Sequence, residues 1–395
     1  MTDTRYSLDD IRKNVSRIDN ALLELLAERR TLSLEVAKSK ISTAKPVRDQ
    51  AREQAREQEL LLKLIETGKQ HQLDPQYVTQ IFHTIIEDSV LFQQAYLQKL
   101  ANPDSANPSA RVAFLGSKGS YSHLASRNYF SRKQTDLVEI SCSTFRDIFN
   151  IVETGNADYG VLPIENTSSG SINEVYDLLQ HTSLSIVGEI TQPIEHCLLT
   201  AVETSVEKID TLYSHPQPHQ QCSEYLHSMG NIKQEYCSST ADAMEQVAEL
   251  KQPNVAAIGN ASSGELYGLT AIQSNIANQQ ENFTRFIVVA RKAVDVTSLI
   301  PAKTTLIMST AQKAGSLVEC LLVLRNLNIN MSKLESRPVI GNPWEEMFYV
   351  DVEVNLKSAT MQQALEELTR LTRFIKVLGC YPSENVAPTD VDIIE

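Results

Sequence analysis

The chain lacks the short sequences that identify several large enzyme classes. None of its 14 glycines is separated from another by a single residue, so the GxG turn that binds dinucleotides is absent. The GKS or GKT sequence of phosphate-binding loops and the HExxH sequence of zinc hydrolases are absent too. We therefore expect a chemistry that needs neither a cofactor nor a metal ion.

Paired cysteines and long apolar runs are missing as well. The six cysteines form no CxxC pair, which argues against a zinc or thioredoxin-like site. No apolar run is long enough to span a bilayer, and the acidic first ten residues lack the apolar segment of a signal peptide. We expect a cytoplasmic protein with reduced, buried cysteines and no membrane partner.

Positive charge is scarce outside the first hundred residues. The chain has 36 Lys and Arg against 49 Asp and Glu, and 15 of each kind lie within residues 1–100. The remainder therefore carries the whole net charge of −13, which argues against a nucleic-acid partner. A length of 395 residues indicates two or three domains.

Residues 1–100 contain one glycine and a long heptad pattern. Ser7 and Asp10 form a capping-box sequence before a helix predicted to run to about Ser42, roughly 50 Å at 1.5 Å per residue. A helix of this length favours a homodimer or larger homo-oligomer in which a second copy covers the seam. Pro46 ends the pattern, and helices are predicted at Gln50–Thr67 and Pro75–Leu97. The apolar seam consists of Leu8, Ile11, Val15, Ile18, Leu22, Leu25, Leu32 and Val36.

Three cations of the first helix suggest an anion site. Arg29 lies within the apolar seam, and Lys40 follows after about three turns on the same face. Arg12 lies about 42 Å from Lys40 on an ideal helix, so it reaches the same ligand only from a second, antiparallel copy. A coiled coil with one specificity-setting arginine explains the pattern equally well.

Several sequences in this region resemble the intertwined, all-helical chorismate mutase of the bacterial P-proteins. They are IRxxVxxID at 11–19, LLAERR at 25–30, KSK at 38–40, PVRD at 46–49 and IIEDSVLFQQ at 85–94. The resemblance implies a chorismate site made of Arg12 of the partner subunit, Arg29, Lys40, Asp49, Arg56, Glu57, Ser89 and Gln93. The cations and Gln93 would act on the carboxylates and ether oxygen, Ser89 on a carboxylate, and the acidic residues on the hydroxyl. A pericyclic rearrangement needs a folded dianion and well-placed cations, and no base or nucleophile.

One stretch departs from that family. AREQ occurs twice in succession at residues 51–58, whereas the family has one Arg-Glu step there. Spacing from the preceding PVRD favours Arg52 and Glu53, and spacing to the third helix favours Arg56 and Glu57. We prefer the second pair because a whole turn is added to a helix end more easily than packed helices are shifted.

After a linker at residues 101–110, rich in Pro, Asn and Ser, strand and helix patterns alternate through residues 111–298 and predict an α/β fold. Four polar clusters follow or enter predicted strands: Gly116–Ser122, Pro163–Ser171, Ser214–Gln217 and Thr284–Arg285. We expect them to converge, with the second placing hydroxyls at the N-terminus of a helix that begins near Ile172. The alternative is four ordinary capped turns.

The sequences PIENTSSG, SHPQP and TRF in these clusters resemble prephenate dehydratase. The resemblance implies two α/β lobes around a cleft, similar to type-two periplasmic binding proteins. Thr284 would be essential as a hydrogen-bond donor to the departing hydroxyl, and Arg285 could hold the anionic substrate. Glu165 and His215 are titratable neighbours whose roles stay open. The remaining prephenate-binding residues implied are Asn166, Ser168, Ser169 and Ser171.

Residues 299–395 show a βαββαβ order, which predicts a ferredoxin-like domain that binds an effector or serves only dimerisation. The sequences GSLV and ESRP resemble the ACT domain of dehydratases inhibited by phenylalanine. The implied effector residues are Gly315, Ser316, Leu317, Val318, Glu335, Ser336, Arg337 and Pro338. The family usually has alanine in place of Ser316, so the inhibitory concentration is not predicted. We also expect a chain ending at residue 298 to keep its dehydratase activity and lose inhibition.

Together these features predict a bifunctional chorismate mutase and prephenate dehydratase with phenylalanine feedback. Two alternatives belong to other classes. An ACT-containing amino-acid sensor would share the two-lobed fold but would not need Arg12, Arg29 and Lys40. A mutase fused to prephenate dehydrogenase would need the GxG turn that is absent.

Overall fold

The computed structural model describes residues 7–43, 50–103, 109–133, 135–279, 281–339, 342 and 344–383, and the side chains of all of these except 43 and 50–54. The described residues form two compact units. One contains residues 7–103 and 297–301, and the other contains 109–296 and 302–383. The predicted linker lies at this division, and its residues 104–108 are outside the described set.

The first unit consists mainly of three helices, here called the helical region: α1 Leu8–Thr43, α2 Gln50–Gln70 and α3 Pro75–Ala101. One half of the predicted capping box is present, since Ser7 Oγ accepts from the Asp10 backbone N–H at 3.1 Å, and the same hydroxyl donates to the Asp10 carboxylate at 2.7 Å. Asp74 caps α3 directly before Pro75. The predicted break at Pro46 lies outside the described residues. No described helix combines the length and apolar character needed to cross a bilayer.

The apolar seam of α1 is uncovered in a single chain. Its eight predicted members are between 45% and 63% exposed. The neighbouring face of α1 packs on α3 and buries Ser33 and Ala37. Because exposed apolar stripes of this size mark interaction surfaces, this arrangement agrees with the expectation of a second copy.

Residues 109–296 form two α/β lobes, here called the two-lobed region. Its strands are β1 Ser109–Leu115, β2 Asp136–Cys142, β3 Tyr159–Asn166, β4 Gly170–Ser171, β5 Ser185–Pro193, β6 Cys197–Thr200, β7 Thr211–Ser214, β8 Lys233–Tyr236, β9 Val255–Gly259, β10 Thr270–Gln273 and β11 Phe283–Ala290. Its helices are α4 Tyr121–Ser131, α5 Phe145–Glu153, α6 Asn173–His181, α7 Pro216–Gln221, α8 Ser223–Ser228, α9 Thr240–Leu250 and α10 Ala261–Leu266.

The first lobe has the sheet order β2-β1-β3-β11-β5, with β4 beside β3, and the second has the order β10-β6-β9-β7-β8. The chain passes to the second lobe after β5 and returns with β11, which pairs antiparallel with both β3 and β5. Strand β11 is therefore central in the first sheet although it comes last in the region. The two-lobed α/β fold predicted from the sequence is confirmed in this respect.

Residues 302–383, here called the C-terminal region, contain β12 Ala302–Thr310, α11 Ser316–Asn326, β13 Met331–Pro338, β14 Glu346–Val352, α12 Ala359–Leu371 and β15 Thr372–Pro382. The predicted βαββαβ order is confirmed. The sheet order is β13-β14-β12-β15, and all neighbours are antiparallel. One face packs against α11 and α12 through side chains such as Leu306, Val350 and Leu368.

The other face of this sheet shares a core with the first lobe. Ile307, Tyr349 and Tyr381 lie in one apolar cluster with Leu162 and Ile186 of the two-lobed region. Each fully buried side chain of this kind contributes about 1.5–3 kcal/mol. This shared core argues against the expectation that a chain ending at residue 298 would remain an active dehydratase.

The backbones of the two regions also meet closely. A Cβ atom placed on Gly379 of β15 would lie 2.1 Å from the carbonyl oxygen of Ile186 in β5. Only glycine fits between the strands here, so this position requires a residue without a side chain.

Candidate functional site

Strands β3 and β11 bring two predicted site residues face to face. Thr284 pairs with Asn166 across the ladder, and its Oγ1 accepts a hydrogen bond from Asn166 Nδ2 at 2.9 Å. Thr284 is 8% exposed and Asn166 is 6% exposed. A hydroxyl that accepts from an amide keeps its own proton to donate, so Thr284 is oriented as a donor.

Asn166 organises the loop around this threonine. Its Nδ2 also donates to Asn282 Oδ1 at 2.7 Å and to the Phe283 carbonyl at 3.0 Å. Its Oδ1 accepts from the backbone N–H groups of Ser168 and Ser169, at 3.0 and 2.9 Å. The asparagine therefore fastens the serine loop to the strand that carries Thr284. Asn282, to which no role is predicted from the sequence, belongs to the same network.

The helix predicted to begin near Ile172 is present, since Ile172 is the N-cap residue of α6, but the serine loop does not continue directly into it. Residues Gly170–Ser171 form β4, which pairs antiparallel with the end of β3, and α6 begins only at Asn173. The residue before α6 is Ile172, which makes no side-chain capping bond. Any anion held by Ser168 and Ser169 would therefore be bound by hydroxyl and loop donors without a helix dipole.

A second-lobe residue reaches this loop across the cleft. Gln217 Nε2 donates to Ser169 Oγ at 2.9 Å, and His215 Nδ1 accepts from the Gln217 backbone N–H at 3.2 Å. Burial lowers the pKa of His215, which favours a neutral imidazole near pH 7. Three of the four predicted polar clusters are thus joined by hydrogen bonds.

The fourth cluster, Gly116–Ser122, bonds to the second lobe. Tyr121 Oη donates to the Glu195 carbonyl at 2.8 Å, and Ser117 Oγ donates to Asp242 Oδ1 at 3.2 Å. Direct hydrogen bonds therefore join three of the four clusters, as predicted. The fourth cluster connects the two lobes at a different place.

Arg285 is a correction to the predicted prephenate site. Consecutive strand residues point to opposite faces of a sheet, so Arg285 faces away from the side of Thr284. Its side chain is 13% exposed and pairs with Glu165 at 3.0 Å, Glu189 at 2.8 Å and Asp351 at 2.6 Å. Tyr381 Oη accepts a further bond from Nη2 at 3.1 Å. The guanidinium is fully committed within the protein.

These partners form a buried charged group, here called the junction cluster: Glu165, Glu189, Arg285, Lys303, Lys333, Asp351 and Tyr381. Burial opposes the charge of Arg285, but Asp351 and the other acidic neighbours outweigh burial and raise its pKa well above the usual value. Burial also opposes the charge of Glu165, but hydrogen bonds from Lys333 and Arg285 outweigh it and lower its pKa. Glu165 is thus ionised near pH 7 in this structure and bonded to Lys333 and Arg285.

Ser171 and two predicted effector residues are corrections of the same kind. Ser171 Oγ donates to Glu335 Oε2 at 2.6 Å. Arg337 binds both oxygens of Asp177 on α6 at 2.9 Å. These bonds link β13 to the two-lobed region. Ser336 and Pro338 alternate with them and are exposed.

The predicted effector turn GSLV has an open side. Gly315 has a φ of +84°, which favours glycine, and nothing lies within 4 Å of the position a Cβ would take. It precedes α11, in which Ser316 is buried and Val318 is 57% exposed. The turn therefore offers accessible backbone beside an apolar side chain.

In the helical region, α1 and α3 bring three predicted chorismate residues near each other. Arg29 Nη1 donates to Ser89 Oγ and to the Ile85 carbonyl, the latter at 3.2 Å. Burial lowers the pKa of Arg29, and the charge of Asp88 partly offsets it. Gln93, one turn beyond Ser89, is 8% exposed, and its Oε1 has no hydrogen-bond partner.

The other predicted chorismate residues are not gathered within one chain. Arg12 lies about 25 Å before Arg29 along α1, and it is exposed. Lys40 and Glu57 are partly buried and Arg56 is exposed. Asp49 lies outside the described residues, as do the side chains of the alternative pair Arg52 and Glu53.

Comparison with known proteins agrees with this division. Residues 11–94 match the family chorismate mutase type II, and residues 112–294 match prephenate dehydratase. A bifunctional chorismate mutase/prephenate dehydratase of Enterobacter agglomerans is 60% identical over 380 residues, which cover 96% of this chain and 97% of that protein. The protein of the same name from Escherichia coli K12 is 59% identical over 381 residues, again covering 96% and 97%.

A solved structure is also similar. The prephenate dehydratase of Arthrobacter aurescens in complex with L-Phe superposes with a TM-score of 0.63 at 25% sequence identity. The superposition covers 71% of this chain and 92% of that chain.

Proposed function

The chain belongs to the family of bifunctional chorismate mutases/prephenate dehydratases, and from this premise we propose how its residues divide the two reactions. The enzyme rearranges chorismate to prephenate and then converts prephenate to phenylpyruvate by loss of CO2 and the ring hydroxyl. The family match disfavours the sensor and dehydrogenase alternatives. We assign the mutase to residues 1–100, the dehydratase to 111–298 and regulation to 299–395, with 101–110 as linker.

We propose that Thr284 donates a hydrogen bond to the departing hydroxyl of prephenate. The electrons of the breaking bond to the carboxylate enter the ring and expel hydroxide, so the ring becomes aromatic without an external electron acceptor. The supporting observation is the Asn166–Thr284 bond, which directs the threonine proton away from Asn166. Ser168 is the hydroxyl donor that we assign to a substrate carboxylate, and Ser169 places the loop by donating to Asn166 Oδ1 at 3.0 Å and accepting from Gln217 of the second lobe.

We propose that chorismate binds between α1 and α3, beside Arg29, Ser89 and Gln93. The bond between Arg29 and Ser89, with the buried Gln93 one helical turn away, supports this. Lys40, Arg56 and Glu57, together with Asp49 and Arg12 of the partner subunit, would complete the site. The uncovered seam of α1 supports a homodimer in which the second copy supplies that arginine.

We assign the C-terminal region to the ACT fold and propose phenylalanine as its effector. The open Gly315 turn, with Leu317 and Val318 beside it, suits the charged groups and ring of an amino acid. Ser336 and Pro338 face away from the two-lobed region and remain candidates, whereas Glu335 and Arg337 become links to the dehydratase. That a similar dehydratase has been solved with L-Phe supports this proposal. All six cysteines are buried and unpaired, which supports a reducing, cytoplasmic setting.

One assay tests the catalytic assignments together. Chorismate is supplied without cofactor, and prephenate and phenylpyruvate are measured over time, with and without phenylalanine. We expect both products in sequence, and we expect phenylalanine to slow the second step. Ser316→Ala is the control for the added hydroxyl. Inhibition that is competitive with prephenate and unchanged by Gly315→Val would place phenylalanine in the dehydratase cleft instead.

A further inference from the structure

We propose that Arg285 is a positioning residue of the dehydratase, which holds Thr284 in place through bonds that the C-terminal region completes. This inference rests on the role proposed above for Thr284. Arg285 follows Thr284 in β11 and pairs with Glu165, which precedes Asn166 in β3. The two catalytic partners and the two junction residues are therefore consecutive pairs on the same two strands.

The ladder between these strands is irregular at this point. The register of β11 against β3 shifts between Arg285 and Phe286, directly after the Arg285–Glu165 pair and one pair away from Thr284–Asn166. A bulge disrupts local backbone pairing and re-aims neighbouring side chains. Side-chain bonds therefore carry more of the task of fixing Thr284 than they would in a regular ladder.

The guanidinium ties four strands together. Nε contacts Glu189 on β5 and Nη1 contacts Glu165 on β3, both within the first lobe. Nη2 contacts Asp351 on β14 and Tyr381 on β15, both in the C-terminal region. The arginine guanidinium is planar, and its N–H donors point in fixed directions. A shift of one bonded partner is therefore transmitted to the others, whereas the ammonium group of a flexible lysine side chain would not transmit it.

The partners on the C-terminal side are themselves fixed. Thr305 Oγ1 bonds to Asp351 Oδ1 at 2.6 Å and to Tyr381 Oη at 2.8 Å. Lys303 Nζ contacts Glu189 at 2.8 Å, so Glu189 of β5 is bonded both to Lys303 of β12 and to Arg285 of β11. A displacement of the C-terminal sheet therefore reaches the strand of Thr284 through Arg285.

A second connection to the catalytic strands starts at β13, the strand that carries the predicted effector residues 335–338. Lys333 of β13 contacts Glu165 at 2.7 Å, two residues before Glu335 binds Ser171. The first connection ends on Arg285, which is adjacent to Thr284 in sequence, and the second ends on Glu165, which is adjacent to Asn166. The state of the C-terminal sheet is thus connected to both sides of the catalytic hydrogen bond.

The test compares Tyr381→Phe, Asp351→Asn and Arg285→Lys in the full-length enzyme. Tyr381→Phe removes one oxygen from the cluster and is the mildest change. The matched control is Arg111→Gln, which breaks the more exposed Arg111–Asp158 pair of the same lobe. For each variant, dehydratase kcat and KM, the phenylalanine concentration for half inhibition, thermal stability and mutase activity are measured.

We expect each junction variant to lower dehydratase kcat by about 2- to 30-fold, the range for residues that influence a site without touching its ligand. KM should stay within about twofold, and half inhibition by phenylalanine should move by a similar factor. Mutase activity should be unchanged, and the Arg111→Gln control should match the parent in kcat and inhibition.

Two results would overturn the inference. Folded variants with lower thermal stability but parental kcat and inhibition would show a purely structural cluster. A raised KM at parental kcat for Arg285→Lys would show a substrate-binding arginine. If Arg285→Lys does not fold, Tyr381→Phe decides alone. A fully active Thr284→Ala enzyme would instead refute the proposed site, whereas an inactive one beside normal junction variants would refute only the positioning role.

Discussion

The helical region and the two-lobed region hold their sites in opposite ways. In the helical region, Arg29, Ser89 and Gln93 lie together while Arg12 is far along an exposed helix. In the two-lobed region, Asn166, Ser169, Thr284 and Gln217 are already joined by hydrogen bonds within one chain. A rearrangement that needs only placed cations can be assembled between copies. An elimination needs a donor oriented toward one leaving group, which a closed network supplies.

The largest effect that separates the two regions is expected from Arg29→Ala. The change removes a partly buried cation from the proposed chorismate site and should lower mutase turnover by about three orders of magnitude or more. Dehydratase turnover measured with prephenate should stay within about twofold. Arg30→Ala is the control, since Arg30 forms an exposed pair with Asp88. A folded Arg29→Ala enzyme that has lost both activities would contradict separate sites.

Thr284→Ala makes the reciprocal test. It should lower dehydratase turnover by about two orders of magnitude, as for loss of one donor to a developing anion, and leave the mutase intact. Thr284→Ser should keep part of the activity because the hydroxyl remains. Parental activity in Thr284→Ala, measured as phenylpyruvate formed from prephenate, would remove the threonine from the mechanism.

The dependence on a second copy is tested with Leu25→Glu in the exposed seam. A charge there should weaken association, so mutase activity should fall about tenfold or more on dilution while dehydratase activity per chain is kept. Leu250→Glu, an exposed leucine of α9 in the two-lobed region, is the matched control. Sedimentation measured alongside activity checks the association state. A monomeric variant with full mutase activity would show a site complete in one chain.

A smaller effect is expected from substitutions in the repeated AREQ sequence, and it distinguishes the two candidate glutamates of the mutase site. Glu57→Ala should cost more mutase activity than Glu53→Ala, by roughly tenfold, because Glu57 keeps the spacing to Ser89 and Gln93. Both variants are assayed with chorismate at several concentrations. The reverse ranking would assign the site to Arg52 and Glu53.

The smallest expected effect concerns acid stability of the second unit. Burial lowers the pKa of His196, partly offset by its bond to Gln221, and burial also lowers the pKa of His215. Because both folded pKa values lie below the unfolded value of about 6.5, this stability is present above pH 6.5 and is lost as pH falls through the folded values. The unfolding temperature should drop between pH 7.5 and 5.5, by about 2–4 °C per kcal/mol lost. His196→Gln should flatten that slope, and an unchanged slope would exclude His196.

Regular elements with strong patterns were predictable from the sequence. The heptad pattern predicted α1 to about Ser42, and the helix ends at Thr43. Strand β8, with the sequence KQEY, carries no apolar alternation because it is an exposed edge strand, so the sequence does not indicate it.

Site residues that belong to short sequence motifs were predicted, and residues whose role depends on contacts between distant segments were missed. Asn166 and Thr284 were identified from their motifs, and the structure places them together. Arg285 was expected to bind substrate because it follows Thr284 in the TRF motif. Side chains alternate along β11, however, so Thr284 and Arg285 lie on opposite faces of the sheet. Asp351 and Tyr381 have no local signal, because their importance depends on a contact across more than sixty residues of chain.

The close approach of Gly379 to Ile186 has a consequence for how this gene can be rearranged. Two related genes exchanged near residues 101–110 would yield hybrids in which residues 109–296 and 302–383 come from one parent. An exchange near residue 298 would bring together a β5 backbone and a β15 glycine from different parents, in a gap that tolerates no added atom. Recombinants of the first kind should therefore survive far more often, and the C-terminal sheet should be inherited with its dehydratase as a single block.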